Sequence, residues 1–190
     1  VLYRPVREKS VEELKKQAVE IINNTGYDDV SLSSLSTSDH TCVYGLLTAL
    51  TDEFEKRNIS VSLPSLRVDN FSVNLAQLVQ KFKRSSITFA PEAGTQRLRD
   101  VINKGVTEKN LVDVSYSIFE NGWNKVKLYF MMGLPTETDE DLAGIANLGF
   151  TVLTIGDEVR HKKNNFPQPP QVNISVSCFV PKPFTAFQFE

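Results

Sequence analysis

Hydrophobic and polar residues follow two spacings that alternate along the chain. In six segments apolar residues recur every three or four positions, as they do on one face of an α-helix. Short apolar runs lie between these segments, and such runs are typical of buried β-strands. The pattern predicts helices at about 11–25, 41–56, 73–82, 95–102, 108–121 and 139–159. It predicts strands at 30–34, 59–63, 86–90, 126–132 and 172–180, and a loop at 161–170.

Capping residues indicate where several of these helices begin and end. Ser10 is followed three residues later by Glu13, and Thr138 by Asp141, which are both capping-box patterns. Gly122 follows the fifth predicted helix in the position where a glycine commonly ends a helix.

The order of these elements predicts the fold class. Strands separated by helices favour an α/β fold with a parallel sheet and right-handed crossovers. We expect a partial open (β/α) barrel, and a doubly wound sheet is the alternative. With 190 residues, 41% of them hydrophobic, and no Gly/Ser-rich linker, residues 1–190 are expected to form a single domain.

Composition limits the classes of binding partner and the cellular compartment that we expect. A formal net charge of −2 gives no electrostatic reason for binding nucleic acid or an anionic membrane. No apolar run approaches the roughly 18–20 residues of a membrane span, and the first residues do not resemble a signal peptide. The two cysteines, Cys42 and Cys178, match neither a disulfide framework nor a metal site. We therefore expect a cytoplasmic protein whose cysteines are buried, with no metal ligand in this chain.

The residues just after each predicted strand form the candidate site, because ligands of β/α folds bind beyond the carboxyl ends of the strands. Small residues, an arginine and a carboxylate meet there. Such a set suits a zwitterionic, hydroxyl-rich ligand, with carbonyls for an ammonium, guanidinium for a carboxylate, and carboxylate for ribose hydroxyls. The residues are Ser33, Ser34, Arg67, Glu92, Gly133, Leu134, Phe179 and Val180.

Three of these strand ends carry motifs. Residues 92–99 read EAGTQRLR, residues 132–138 read MGLPTET, and residues 179–188 read FVPKPFTAFQ. In this order they resemble the segments that follow the fourth, fifth and sixth strands of radical S-adenosylmethionine (SAM) enzymes near the methylthiotransferases and Elongator-type enzymes. Two positions depart from that pattern: Thr136 stands where glycine is commonest, and Ala186 replaces the usual proline.

The resemblance implies an Fe–S oxidoreductase. In such enzymes a CxxxCxxC motif after the first strand ligates a [4Fe-4S] cluster, and SAM is cleaved reductively to a 5′-deoxyadenosyl radical. This chain lacks that motif. We therefore expect strands two to six of a six-stranded barrel. The first strand and the cluster would belong to a longer parent protein, and this fragment would hold part of the SAM pocket and be inactive alone.

The resemblance also assigns roles to individual residues. Glu92 is expected to contact the ribose of SAM, and its alternative role is to cap the helix that begins near Thr95. Arg97 is expected at the SAM carboxylate, and its alternatives are a pair with Glu92 or a solvent position. Gly133 would allow adenosine to approach closely. The remaining cofactor-binding candidates are the backbone carbonyls of Ser33 and Ser34, the polar Arg67, Leu134 beside Gly133, and Phe179 and Val180 flanking adenine.

Partners follow from the same resemblance. Residues 3–8, YRPVRE, resemble a segment of radical SAM proteins that often carry a cobalamin-type neighbouring domain, so a cobalamin-binding or other flanking domain is one option for the parent. One alternative is a non-catalytic β/α ligand-binding or interaction module. Another is a cluster-independent barrel enzyme in which Glu92 is the general base.

Overall fold

The computed structural model of the chain describes residues 7–34, 39–62, 87–163 and 168–190. The described residues divide into two compact units. The first contains residues 7–34 and 39–62, and the second contains residues 87–163 and 168–190. Whether residues 1–190 form one domain, as the sequence predicts, stays a prediction.

The first unit pairs two helices with two short parallel strands. Its elements are α1 (Val11–Thr25), β1 (Asp29–Ser31), α2 (Val43–Phe54), a 3₁₀ turn (Glu55–Arg57) and β2 (Ser60–Ser62). The Ser10 side chain caps α1 by accepting a hydrogen bond from the Glu13 amide, and Gly26 ends it at φ 71°. The core combines the apolar faces of both helices with the strands: Ala18, Ile22, Val30, Leu46, Leu50, Phe54, Ile59 and Val61.

The second unit is built on a three-stranded parallel sheet. Its elements are β3 (Ile87–Glu92), α3 (Gln96–Val101), α4 (Glu108–Glu120), β4 (Lys125–Met132), α5 (Asp139–Lys163) and β5 (Gln171–Cys178). The strand order is β3-β4-β5, with Val126 opposite Ile87 on one side and Val172 on the other. Helices therefore alternate with parallel strands, as in a partial (β/α) barrel.

The two faces of this sheet differ in burial. Phe89, Leu128 and Phe130 are buried on the face that α5 covers. Residues of the opposite face, such as Lys127 and Tyr129, are half-buried or exposed. Since side chains alternate along a strand, one face forms the core, and the opposite face, called the open face here, is the more exposed of the two among the described residues. A bulge between Phe89 and Glu92 shifts the register at the carboxyl end of β3.

Helix α5 approaches its neighbours through glycines. A Cβ atom on Gly149 would lie 2.5 Å from Ile174 of β5, and one on Gly156 would lie 2.9 Å from the Phe119 ring. At the start of β4, the indole of Trp123 is buried. The absence of side chains at Gly149 and Gly156 therefore lets α5 lie close to both the sheet and α4.

Length and composition alone would allow α5 to cross a membrane, and it is the one helix in the described ranges for which this holds. Its buried residues nevertheless include Leu148, Val152 and Val159, which belong to the protein core. One face of α5 therefore belongs to the protein core.

The α/β fold class is confirmed. Each predicted strand has a counterpart among β1 to β5, and the helix predicted at 73–82 lies outside the described residues. Two predictions were wrong. Residues 161–163 belong to α5 rather than to a loop, because basic residues are favourable at a helix C-terminus and Lys163 pairs with Glu120 at 3.3 Å. Both cysteines are exposed, because Cys42 precedes α2 and Cys178 ends β5 outside the core.

Candidate functional site

The turn after β3 has a strained backbone. Glu92 has φ 71°, a conformation that glycine adopts readily and glutamate seldom adopts. Arg99 is buried beneath this turn, and its Nη1 donates a hydrogen bond to the Ala93 carbonyl at 2.9 Å. Burial lowers the pKa of Arg99. The guanidinium thus holds in place the turn that presents Glu92.

A glycine pair packs this turn against α5. A Cβ atom on Gly94 would lie 2.1 Å from the Asp141 carbonyl oxygen, and one on Gly144 would lie 2.8 Å from the Gly94 backbone. Neither position has room for a side chain. The glycine of the EAG motif is therefore required for close packing between the turn and the first turns of α5.

The Glu92 carboxylate forms an ion pair and does not cap α3. Lys104 Nζ lies 3.2 Å from Glu92 Oε1, with the two side chains 33% and 26% exposed. Thr95 caps α3, because its hydroxyl accepts a hydrogen bond from the Leu98 amide. The capping alternative for Glu92 is therefore wrong, and the carboxylate remains accessible to solvent.

Asp141 joins α3 to the start of α5. Its buried carboxylate accepts hydrogen bonds from the Thr95 hydroxyl, from Arg97, and from the amide and hydroxyl of Thr138. Burial alone raises the pKa of Asp141, but these hydrogen bonds outweigh burial and hold the pKa well below its usual range. The Thr138 hydroxyl in turn accepts from the Asp141 amide at 3.4 Å, which confirms the predicted capping box.

Arg97 is oriented by this network rather than by Glu92. Its Nη2 donates to the Thr136 carbonyl at 2.8 Å and to Asp141, so the alternative pair with Glu92 is wrong. The side chain is still 49% exposed. Arg97 therefore links α3 to the loop after β4 while about half of its side-chain surface faces solvent.

The loop after β4 has two residues with positive φ. Gly133 has φ 79° and Thr136 has φ 67°. A Cβ atom on Gly133 would meet nothing within 4 Å, so the backbone conformation, not crowding by the protein, is what requires glycine there. The Gly133 amide donates a hydrogen bond to the Glu137 carboxylate. Leu134 is buried against Ala93, so it serves the core.

The segment after β5 packs along the same edge. The Phe179 amide donates to the Met132 carbonyl at 2.8 Å, and its ring contacts the cluster of Ala93, Leu98 and Leu134. Phe187 meets that ring edge to face. The side chain of Val180 is 68% exposed, so it does not belong to the core.

Six of the predicted residues therefore come together at the carboxyl edge of the second unit: Glu92, Arg97, Gly133, Leu134, Phe179 and Val180. Ser33 and Ser34 follow β1 in the first unit, where both are exposed. Arg67 lies outside the described residues.

Three residues of this edge were missed by the sequence analysis. Lys104 follows EAGTQRLR by five residues and belongs to the same resembling segment, but its ion pair with Glu92 was not predicted. The sequence placed Arg99 in a helix and gave it no further role. An arginine in the helix that follows a strained turn can nevertheless donate a hydrogen bond to a carbonyl of that turn, as Arg99 does to Ala93. Asp141 was recognised only as a cap, and its capping box was the available signal.

This edge has the groups that a zwitterionic nucleoside ligand needs. Glu92 offers a partly exposed carboxylate for hydroxyls, Arg97 offers a half-exposed cationic side chain, and the space beside Gly133 is open. A [4Fe-4S] cluster does not fit the chain's residues, since its two cysteines lie in different units. No group of three metal-ligating side chains occurs in the part of the chain that the structure describes.

Sequence comparisons identify similar proteins. The sequence model of the radical SAM superfamily matches residues 2–149. An uncharacterised protein of Methanocaldococcus jannaschii is 33% identical over 189 residues, which cover 100% of this chain and 38% of the relative. A second uncharacterised protein of that organism is 23% identical over 150 residues, which cover 79% of this chain and 26% of the relative. The chain thus spans well under half the length of both relatives.

Proposed function

The chain belongs to the radical SAM superfamily, and from this premise we propose that it supplies part of the SAM pocket of a longer Fe–S oxidoreductase. The parent protein would cleave SAM reductively to a 5′-deoxyadenosyl radical. The length of the relatives supports a longer parent, because this chain covers 38% of the first. The resemblance of the strand-end motifs points to Elongator-type and methylthiotransferase enzymes within the superfamily.

One observation supports the SAM pocket most directly. The Glu92 carboxylate stands partly exposed on a strained turn that Arg99, Gly94 and Gly144 hold in place. Backbone strain of about 1–3 kcal/mol persists where the surrounding structure enforces it, and such positions cluster at ligand sites. Glu92 would accept hydrogen bonds from the ribose hydroxyls of SAM.

Other residues of the edge would complete the pocket. The Gly133-Leu134 turn would leave space for adenosine, with Phe179 and Val180 beside the adenine ring. Arg97 would pair with the SAM carboxylate through its exposed surface. The carbonyls of Ser33 and Ser34, together with Arg67, are proposed as further contacts.

The cluster belongs to the proposal for the parent protein only. When bound, a [4Fe-4S] cluster supplies the electron for SAM cleavage and an iron that binds SAM. Since this chain's residues do not fit the cluster, its own part is to bind and orient SAM and to exclude water. Alone it would be inactive.

Partners and location are also part of the proposal. Enzymes of this superfamily are generally soluble, and we place the protein in the cytoplasm. A cobalamin-binding or other flanking domain would occupy part of the remaining length of the parent. We propose no membrane or nucleic-acid partner.

A SAM titration followed by ¹H–¹⁵N NMR tests the pocket in this chain. SAM should shift amide resonances near Glu92, Gly133 and Val180, with weak affinity because the cluster is absent. Glu92→Gln should weaken binding about tenfold through loss of charge-assisted hydrogen bonds, which are worth about 1.5–3 kcal/mol. Glu20→Gln, on the exposed side of α1, is the matched control and should bind SAM as the wild type does.

Reduced parent protein with reconstituted iron and sulfide should form 5′-deoxyadenosine from SAM, measured by mass spectrometry. Failure to form it would contradict the reaction. If SAM also shifted no resonance at the carboxyl edge, the non-catalytic interaction module would remain.

A further inference from the structure

The open face of the β3-β4-β5 sheet carries a row of polar side chains that the proposed SAM pocket does not use. The register places Thr88 and Asn173 directly opposite Lys127, one on each side. Neighbouring strands lie about 4.8 Å apart, so residues paired in this way present their side chains next to each other on the same face. The row therefore contains a hydroxyl, an ammonium and an amide, and each can donate a hydrogen bond.

Lys127 has no counter-charge among the residues that the structure describes. Its ammonium lies 4.8 Å from the centroid of the Tyr129 ring, and Tyr129 is the next residue of β4 on the open face. By contrast, Lys104 and Lys163 each have a carboxylate within 3.3 Å. The Lys127 side chain is half-buried, and a partly buried cation gains stability when an anion binds.

We infer that this row binds a carboxylate or phosphate group of the substrate, with Lys127 as the ion-pair partner and Thr88 and Asn173 as hydrogen-bond donors. The inference rests on the proposed function, because it assigns the anion to the substrate of that enzyme. The exposed part of the Tyr129 ring, 39% of the residue, would pack against the substrate next to the anion.

The arrangement favours a single anionic group over a polyanion. Lys125 lies on the same face at the amino end of β4, where it is exposed, and the chain as a whole has a net charge of −2. Recognition of a nucleic-acid backbone uses many lysines and arginines along an extended surface. One half-buried lysine between two neutral donors matches one carboxylate or phosphate.

Titration of the full chain with inorganic phosphate, and separately with acetate, tests this inference. Binding is followed by NMR at constant ionic strength. One of the two anions should shift the resonances of Thr88, Lys127 and Asn173, and the anion that binds more tightly identifies the phosphate or carboxylate source. Lys127→Gln should weaken that binding about fivefold, whereas Lys127→Arg should retain it within about twofold.

Lys125→Gln separates a defined site from general attraction to a positive face. Lys125 lies two residues before Lys127 on the same strand and the same face. Its replacement by glutamine should change anion binding less than twofold. Equal losses in Lys125→Gln and Lys127→Gln would overturn the inference, as would wild-type titrations that shift no resonance in the row.

A SAM titration of Lys127→Gln distinguishes this inference from the proposed function. SAM should bind Lys127→Gln as it binds the wild type. If SAM binds while neither anion does, the substrate site is wrong and the SAM pocket stands. If the anions bind at the row while SAM does not bind the chain, the proposed SAM pocket fails and the row stands as an anion site alone.

Discussion

Thr136 combines a β-branched side chain with φ 67° in the loop after β4. A left-handed conformation costs an L-residue roughly 1–2 kcal/mol, which glycine avoids. The position is the one where the similar "GLPGET" motif has glycine. The Thr136 hydroxyl accepts only a long hydrogen bond, 3.3 Å, from Arg97, so the side chain compensates for little of this cost.

Replacing Thr136 by glycine should therefore stabilise the protein. We expect Thr136→Gly to raise the free energy of unfolding by about 1 kcal/mol, less than the full strain because glycine also loses more entropy on folding. Urea unfolding followed by circular dichroism measures the change. Gly133→Ala, at φ 79°, should lower stability by a similar amount, and a Thr136→Gly protein less stable than the wild type would contradict the strain argument.

The buried Asp141 carboxylate makes stability depend on acid pH. Because its folded-state pKa is held below the ordinary value, the ionised group stabilises the protein above the unfolded pKa of about 3.9. This contribution is lost as the pH falls through the folded pKa. Asp141→Asn cannot ionise, so it should cost about 2 kcal/mol at pH 7, where the wild type keeps its charge-assisted hydrogen bonds.

Urea unfolding at pH 7 and pH 3 tests this dependence. The difference in unfolding free energy between wild type and Asp141→Asn should shrink at pH 3. A difference that stays constant would show that packing, not ionisation, sets the effect. Asp113→Asn, an exposed carboxylate of α4, is the control and should change little at either pH.

The sequence predicted most of the residues that lie near the site. It did not predict the hydrogen bonds and ion pairs that these residues form. Glu92 ends β3, whereas Gly133 and Phe179 follow β4 and β5, and parallel strands end at one edge. The partners of Glu92 and Arg97 depend on how α3 packs on the next loop, which no local pattern encodes. Arg97 therefore contacts Asp141, 44 residues away, rather than Glu92 nearby.

At the scale of elements, Gly156 of α5 contributes to stability by allowing close packing of the helix. Ala in a helix interior is about 1 kcal/mol more favourable than Gly, so Gly156→Ala would stabilise an isolated helix. In the protein a Cβ there would lie 2.7 Å from Pro170 and 2.9 Å from the Phe119 ring. Overpacking costs roughly 1–3 kcal/mol, and the clash should prevail.

We expect Gly156→Ala to lower the free energy of unfolding by about 1 kcal/mol, measured by thermal or urea unfolding. Gly45→Ala in α2 is the matched control, because a Cβ there meets nothing within 4 Å. It should stabilise the protein. Stabilisation by both substitutions would show that α5 moves away from Phe119 without cost.

Element types were predictable, whereas some ends were not. Ser10 and Thr138 set helix starts through local hydrogen bonds that the sequence displays. The end of α5 depends on Lys163 reaching Glu120 of another helix, so the predicted boundary was too early. The bulge near Glu92 likewise depends on the neighbouring strand β4.

At the scale of the whole molecule, the distribution of thiols limits the chemistry of the isolated chain. Cys42 lies in the first unit and Cys178 in the second, and both are exposed. Three thiolates are needed for a SAM-binding [4Fe-4S] cluster, as the resemblance implies. The fold class was predictable from element order, but the exposure of these thiols was not, because it depends on where each cysteine meets the core.

Anaerobic treatment of the chain with iron and sulfide should leave about 0.1 cluster per chain or less after desalting. Iron and sulfide analysis measures this, and a variant with both cysteines changed to serine sets the background. Stoichiometric iron in the wild type would contradict the expectation and place cluster ligation in this chain. A longer protein of the proposed function should retain a full cluster under the same treatment.

Trp123 is the single tryptophan of the chain, and it is buried at the start of β4 in the second unit. Excitation of indole therefore gives an emission signal from that unit without any engineered dye. Loss of its apolar surroundings would move the emission maximum to longer wavelength. Thermal unfolding followed by tryptophan fluorescence therefore reports on the second unit, which carries the candidate SAM edge. Tyrosine fluorescence and backbone circular dichroism also include the first unit, which contains Ser33 and Ser34.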